Sequence, residues 1–285
     1  MPSRFKAAAA QYPITAYRSW REYAEALEGW VAAGAQAGAR LLVFPEYAAM
    51  ELISLVPGHR NLTLADQLAA MQDFAAPYLD LHCSLARTYG VHILAGSFPV
   101  KRDGLFRNAA AFISPDGPPA IREKRIMTRF EREEWGISPG EDAPPVECEL
   151  GRIGVAICYD SEFPLLVRRQ AEAGAQVILA PSCTDTLAGY WRVRIACQAR
   201  ALENQCIVVQ APTVGRADWC PAVDENIGAA GFFAPPDSGF PDNGVLALGE
   251  LNKPGWIYAD IDPAAIAAVR TEGKVLNHKH WPEQF

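Results

Sequence analysis

The 285 residues, half of them hydrophobic, suffice to bury a sizeable core, and one domain spanning 1–285 is expected. The formal net charge of -7 repels phosphate backbones and anionic membrane surfaces, so neither nucleic acid nor a membrane is an expected partner. The opening MPSRFKAAAAQYPI breaks its alanine run at Gln11 and Pro13, too early for a signal-peptide core, and no later run reaches the roughly 18 apolar residues of a membrane span. A cytoplasmic location is the expectation.

Strand-like and helix-like segments alternate along the chain, which predicts an α/β layered fold. A strand from Phe5 to Gln11 precedes a helix from Trp20 to Ala37, a strand from Leu41 to Phe44 and a helix from Leu64 to Tyr89. Strands follow at His92 to Ser97, Ala109 to Ser114 and Arg152 to Cys158, then a helix at Pro164 to Ala173 and a strand at Val177 to Ala180. A helix from Tyr190 to Asn204 and strands at Cys206 to Gln210 and Trp256 to Ile261 complete the set. Gly38, Gly90 and Gly174 each follow a helical pattern, as helix C-termini prefer. The Gly- and Pro-rich stretches Ser114 to Pro119, Ser138 to Pro145 and Phe233 to Gly244 read as surface loops. The tail from Thr271 to Phe285, polar with an aromatic end, is expected to be ordered only against a partner subunit.

Seven cysteines make an odd number without a CxxC pair, so neither a disulfide framework nor a zinc ribbon fits, and no metal is expected. Cys158, in GRIGVAICYDSEFP, ends an apolar strand just before a helix start marked by Asp160, Glu162 and Pro164. A thiol at such a junction lies near backbone N–H groups that favour a thiolate and bind an oxyanion. Cys183, in ILAPSCTD, also follows a strand and is its rival; Cys197 and Cys206 fall within a helix and a strand and read as packing.

Glu46, in LLVFPEY, comes directly after a buried strand and Pro45, where a parallel sheet exposes its functional edge. Lys124 is the one lysine of IREKRIMTRFEREEWG, whose dense charges from Glu131 to Glu134 otherwise resemble a solvated face. A Cys-His pair is the alternative wiring. Among the five histidines, however, His82 lies in a helical pattern and His92 in a strand, and both read as structural.

FPE at Glu46, EKRIM at Lys124 and ICYDSEFP at Cys158, in that order, resemble the Glu-Lys-Cys signature of the nitrilase, or carbon-nitrogen hydrolase, superfamily. The similarity extends through QAEAGAQVILAPS and through ARALENQCIVVQA, whose Arg200, Glu203 and Asn204 look like the family's ARAxEN helix. The resemblance implies a four-layer α-β-β-α sandwich that commonly pairs two subunits, hence a homodimer or higher homo-oligomer. It further implies Glu46 as general base, Cys158 as nucleophile and Lys124 as the cation at the tetrahedral oxyanion. Tyr159 is expected to add a backbone oxyanion donor.

A second glutamate after the lysine is also implied, with Glu131, Glu133 and Glu134 competing; Glu133, just ahead of Trp135 and the Pro139-Gly140 turn, is the preferred candidate. True nitrilases usually show Cys-Trp-Glu, whereas Cys158-Tyr159-Asp160 looks like the amidase and carbamoylase branches. The expected activity is cofactor-free hydrolysis of a small amide or N-carbamoyl compound through an acyl-thioenzyme. Nitrile hydrolysis, acyl transfer to an amine and a catalytically silent scaffold are the alternatives. Tyr47, Trp135, Tyr159, Asp185, Trp191 and Arg194 are the candidate substrate contacts, with packing or dimer contact as the competing roles.

Overall fold

The computed structural model describes residues 2–285. Its helices are α1 (Trp20–Gln36), α2 (Leu64–Tyr89), α3 (Pro164–Glu172), α4 (Leu187–Asn204), α5 (Pro263–Glu272) and a short α6 (Asn277–His280). The strands in the first half of the chain are β1 (Phe5–Pro13), β2 (Ala39–Val43), β3 (His92–Leu94), β4 (Phe98–Arg102), β5 (Leu105–Ile113) and β6 (Ala120–Glu123). Those in the second half are β7 (Val146–Cys148), β8 (Gly151–Val155), β9 (Val177–Ser182), β10 (Ile207–Arg216), β11 (Glu225–Asn226), β12 (Gly231–Phe233), β13 (Val245–Leu248) and β14 (Gly255–Ile261).

The strands form two halves. One runs β14-β1-β2-β3-β5, with β4 and β6 also paired to β5; the other runs β7-β8-β9-β10-β12-β13. Parallel pairing of β1 with β10, at Tyr12 with Thr213 and Pro13 with Val214, joins them into a mixed α/β structure.

Strand alternation explains why both faces of β1 are apolar. Ala8, Ala10 and Tyr12 pack in one core with Leu27 and Val31 of α1 and Leu68 and Met71 of α2. Phe5, Ala7 and Ala9 point the other way, into a second core with Ile153, Leu179 and Val208 of the other half. Val193, Cys197 and Ala201 of α4 join that second core.

Capping sets the helix starts. α4 begins at Leu187, three residues before the predicted start, because Thr186 Oγ1 accepts from Gly189 N at 3.1 Å. Gly90 closes α2 with φ of 62°, a left-handed conformation that glycine adopts without Cβ strain.

The C-terminus adds two features. α5 was not among the predicted helices; Asp262 caps it by accepting from Ala264 N at 2.9 Å, and Pro263 opens its first turn. The tail is ordered against its own chain. Gln205, in a left-handed conformation after α4, donates through Nε2 to Val269 O and Val275 O, each at 2.9 Å, and accepts from His278 N at 3.1 Å. The Arg168 guanidinium lies 4.9 Å from the Trp281 ring centroid. These contacts seat the segment against its own chain. Among the described residues, no helix is long and apolar enough to cross a membrane.

Candidate active site

Three chain reversals at strand ends meet in one cleft. β2 ends at Val43, and Phe44-Pro45 deliver Glu46 to the sheet edge. The turn is held by Ser97 N donating to Pro45 O at 3.2 Å and by Tyr47 N donating to Ser97 Oγ at 2.9 Å. Gly96 lies so close that an added Cβ would stand 2.9 Å from Pro45 O, so only glycine fits beneath Glu46. Tyr47 takes φ of 55°, which turns its ring back over the cleft.

Lys124 follows β6. Its N–H donates to Asn108 O at 2.9 Å, extending the β5-β6 ladder by one residue, and its carbonyl accepts from Gly140 N at 2.8 Å. Cys158 stands beyond β8 at the head of a single 3-10 turn, Cys158–Glu162, with φ of 49°. A non-glycine residue in that region carries backbone strain, here exactly where the chain must reverse to present the thiol.

The side chains converge on Lys124 Nζ, which donates to Glu46 Oε1 at 2.8 Å and to Glu131 Oε2 at 2.6 Å. Glu46, Lys124 and Glu131 are all buried, while Cys158 is 4% exposed. Burial favours a neutral Lys124 amine, but the Glu46 and Glu131 carboxylates outweigh it and hold its pKa well above the ordinary value, so it is an ammonium ion.

The two acids differ. Burial opposes ionisation of Glu131, yet Lys124 overcomes it, helped by Tyr47 Oη at 2.7 Å and by Thr128 N and Oγ1, each at 2.9 Å; its pKa is lowered. Glu46 has fewer donors, and burial pushes its pKa up despite Lys124. The Cys158 thiol is pushed well up, first by burial and then by the Glu46 charge, so it rests as the neutral thiol until its proton is taken.

Glu133 does not join this cluster. It pairs with Arg129 at 2.9 Å, its side chain 51% exposed. Residues 130–135 form one wide helical turn, which directs Glu131 and Trp135, four apart, inward and Arg132, Glu133 and Glu134 outward. The second carboxylate beside Lys124 is therefore Glu131.

Around these groups lies a cleft of about 550 Å³, lined in part by Tyr47, Trp135, Tyr159 and Asp185. The Tyr47 and Trp135 rings pack with centroids 4.6 Å apart. Trp191 and Arg194 do not line it: Arg194 stacks on Trp191 at 4.8 Å and donates to Tyr190 Oη at 3.2 Å. The next positions of α4, Arg192 and Val193, face the cleft instead. Helical rotation of 100° per residue separates these neighbours.

Sequence reasoning also passed over Asn108, Thr128 and the backbone of Cys183. Asn108 Nδ2 donates to Glu46 Oε1 at 2.9 Å and to Glu131 Oε1 at 3.3 Å. Its one signal was an amide opening the otherwise apolar run NAAAFI. Cys183 N donates to Glu46 Oε2 at 3.0 Å, while its thiol turns to Asn226 Oδ1 at 3.4 Å.

Asp160, read only as marking the helix start, clamps the lysine loop. It accepts from Arg125 N at 3.0 Å and Ile126 N at 2.8 Å, and burial pushes its pKa up to about 7 against those donors. His82 Nδ1 donates to Tyr78 O within its own helix, and His92 lies between Ser114 and Glu149, away from the cleft. Among the described residues, no three His, Cys, Asp or Glu side chains are grouped to hold a metal ion.

A buried lysine between two carboxylates, next to a thiol at a strained reversal, combines a proton acceptor, a fixed cation and a nucleophile. The Probable hydrolase YhcX of Bacillus subtilis is 34% identical over 269 residues, which cover 94% of this chain and 52% of that protein, so the chain spans about half the relative's length. The Deaminated glutathione amidase of Synechocystis is 28% identical over 211 residues, covering 69% of this chain and 73% of the relative. The solved carbon-nitrogen hydrolase from Helicobacter pylori shares the fold, with a TM-score of 0.76 at 18% identity, covering 98% of this chain and 93% of that one. The Carbon-nitrogen hydrolase family profile matches residues 6–271, and the chain belongs to that family.

Proposed function

We propose that the chain hydrolyses the carbon-nitrogen bond of a small amide or N-carbamoyl compound through a cysteine acyl-thioenzyme. The observation carrying this reading is the Lys124 ammonium held between Glu46 and Glu131 in the same cleft as Cys158.

In this reading Glu46 takes the Cys158 proton as sulfur attacks the carbonyl carbon, and the carbonyl electron pair moves to oxygen. Lys124 and the N–H of Tyr159 stabilise that oxyanion; Tyr159 lies in the first turn of a short helix, where N–H groups lack intrahelical partners. Collapse of the intermediate breaks the C–N bond, and the leaving amine takes the proton from Glu46. Water then attacks the thioester with Glu46 again as base, releasing the acid and restoring the thiol. Glu131, kept ionised by its donors, holds Lys124 charged and in place.

Amide rather than nitrile hydrolysis is favoured by Cys158-Tyr159-Asp160, the pattern of the amidase and carbamoylase branches, and by the amidase named among the relatives. Tyr47, Trp135, Tyr159 and Asp185 are the proposed substrate contacts. Intact-mass analysis of protein treated with a panel of amides, carbamoyl compounds and nitriles, with ammonia release measured in parallel, tests the proposal. An acyl adduct on Cys158 and loss of turnover in Cys158→Ala are expected; full turnover in that variant overturns it.

We assign Trp191 a different role. With Leu187 and Ile195 it forms an exposed apolar stripe at four-residue spacing on α4. A second copy of the chain, in a homodimer, is the proposed occupant.

A further inference from the structure

We propose that Asn108 is a positioning residue that holds Glu46 so that Oε2 is the oxygen that accepts the Cys158 proton. This rests on the reading of Glu46 as the base.

Asn108 touches all three residues from one place on β5, Lys124 through its backbone and the two glutamates through their carboxylates. Its carbonyl fixes the Lys124 backbone at 2.9 Å, and the two hydrogens of its Nδ2 are divided between Glu46 Oε1 and Glu131 Oε1. The residue is fully buried, and its Oδ1 has no hydrogen-bond partner among the described residues. A buried amide with an unpaired carbonyl is unfavourable compared with an apolar side chain, and Ala109 to Ile113 of the same strand are all apolar. Packing therefore does not account for an amide at this position; its two donated hydrogen bonds do.

Their effect is to make the Glu46 oxygens unequal. Oε1 accepts from the Lys124 ammonium and the Asn108 amide, whereas among the described residues Oε2 accepts one hydrogen bond, from Cys183 N at 3.0 Å. The oxygen with two strong donors is the poorer proton acceptor, which leaves Oε2 as the more basic one. When the S–H bond breaks and the O–H bond forms on Oε2, the donors on Oε1 stay in place. Asn108 also sits between two carboxylates, so its loss strengthens their repulsion and disfavours ionised Glu46.

The test requires no substrate. Alkylation of Cys158 by iodoacetamide in the full chain, located by peptide mass spectrometry, is followed across pH in wild type, Asn108→Leu, Asn108→Ser and Glu46→Gln, with thermal unfolding measured alongside. Asn108→Leu is expected to slow Cys158 alkylation at neutral pH by about tenfold and move its pH profile upward by about one unit. Asn108→Ser, which keeps one donor, is expected to lie between. A folded Leu variant with the wild-type rate and profile overturns the proposal. So do Leu and Ser variants that slow equally without moving the profile, as a merely structural role would produce. If the Leu variant does not fold, an unmoved profile in the Ser variant is decisive against it. Glu46→Gln separates the two levels: alkylation unchanged in that variant removes Glu46 as base, whereas a slow Glu46→Gln beside an unaffected Asn108→Leu removes only Asn108.

Discussion

Glu131 accepts from Lys124 at 2.6 Å across a separation of seven residues, with both side chains out of solvent. The lysine therefore carries its own counter-ion, independent of Glu46. In the proposed mechanism, Glu46 can then gain and lose a proton without leaving a buried ammonium unpaired.

Glu131→Gln is expected to lower kcat/KM by at least about 100-fold, on the order of 3 kcal/mol of transition-state stabilisation. It is also expected to reduce stability by about 3 kcal/mol, because removing one partner of a buried pair leaves a charge uncompensated. Glu133→Gln loses only a surface contact to Arg129 and should stay within about twofold of wild type. Steady-state kinetics and urea unfolding on both variants check the assignment; equal effects would return Glu133 to candidacy.

Glu51 makes a pH-dependent prediction. It is buried, accepts from Tyr12 Oη at 2.7 Å, and burial pushes its pKa up to about 8 against the hydrogen bonds from Tyr12 and Thr15. The folded state thus retains a proton that the unfolded chain releases near its ordinary value of 4.5. The associated stability is fully present below that value and is lost as pH rises through about 8. Glu51→Gln should flatten this part of the stability profile and be more stable than wild type at mildly alkaline pH. Urea unfolding at mildly acidic and mildly alkaline pH measures it, and a slope unchanged by the substitution would refute the assignment.

The apolar stripe on α4 predicts the assembly state. Ile195 is 60% exposed, so Ile195→Asp removes no intrachain core contact of consequence. It should convert a dimer to monomers by light scattering while leaving the unfolding midpoint of the isolated subunit nearly unchanged. A wild-type chain that is monomeric at high concentration would exclude the proposed interface.

The positions of Glu46 and Cys158 were legible because strand periodicity is local, whereas Lys124 was picked out only by the resemblance of EKRIM in the motif order. A buried run that stops at Pro45, or at the junction after Val155, announces a sheet edge whatever the rest of the chain does. β1 and β2 follow from their apolar runs and α1 and α2 from helical periodicity, and the motif order supplied the family. The second glutamate was not legible, since three acids within four positions differ only in which way a wide turn faces them. α5 escaped notice because Pro263 and its four alanines carry little periodic contrast, leaving its Asp262 cap as the main signal.

By itself, then, the sequence determined where the sheet-edge reversals at Glu46 and Cys158 fall and which residue types stand there, because backbone patterning needs only near neighbours. Tertiary structure decided which side chains touch: Glu131 rather than Glu133 at Lys124, Asn108 between the two acids, and a tail folded back on Gln205. Each of these depends on the rotation of a turn or the register of strands far apart in the chain, and contact at hydrogen-bond distance exists only after both are set.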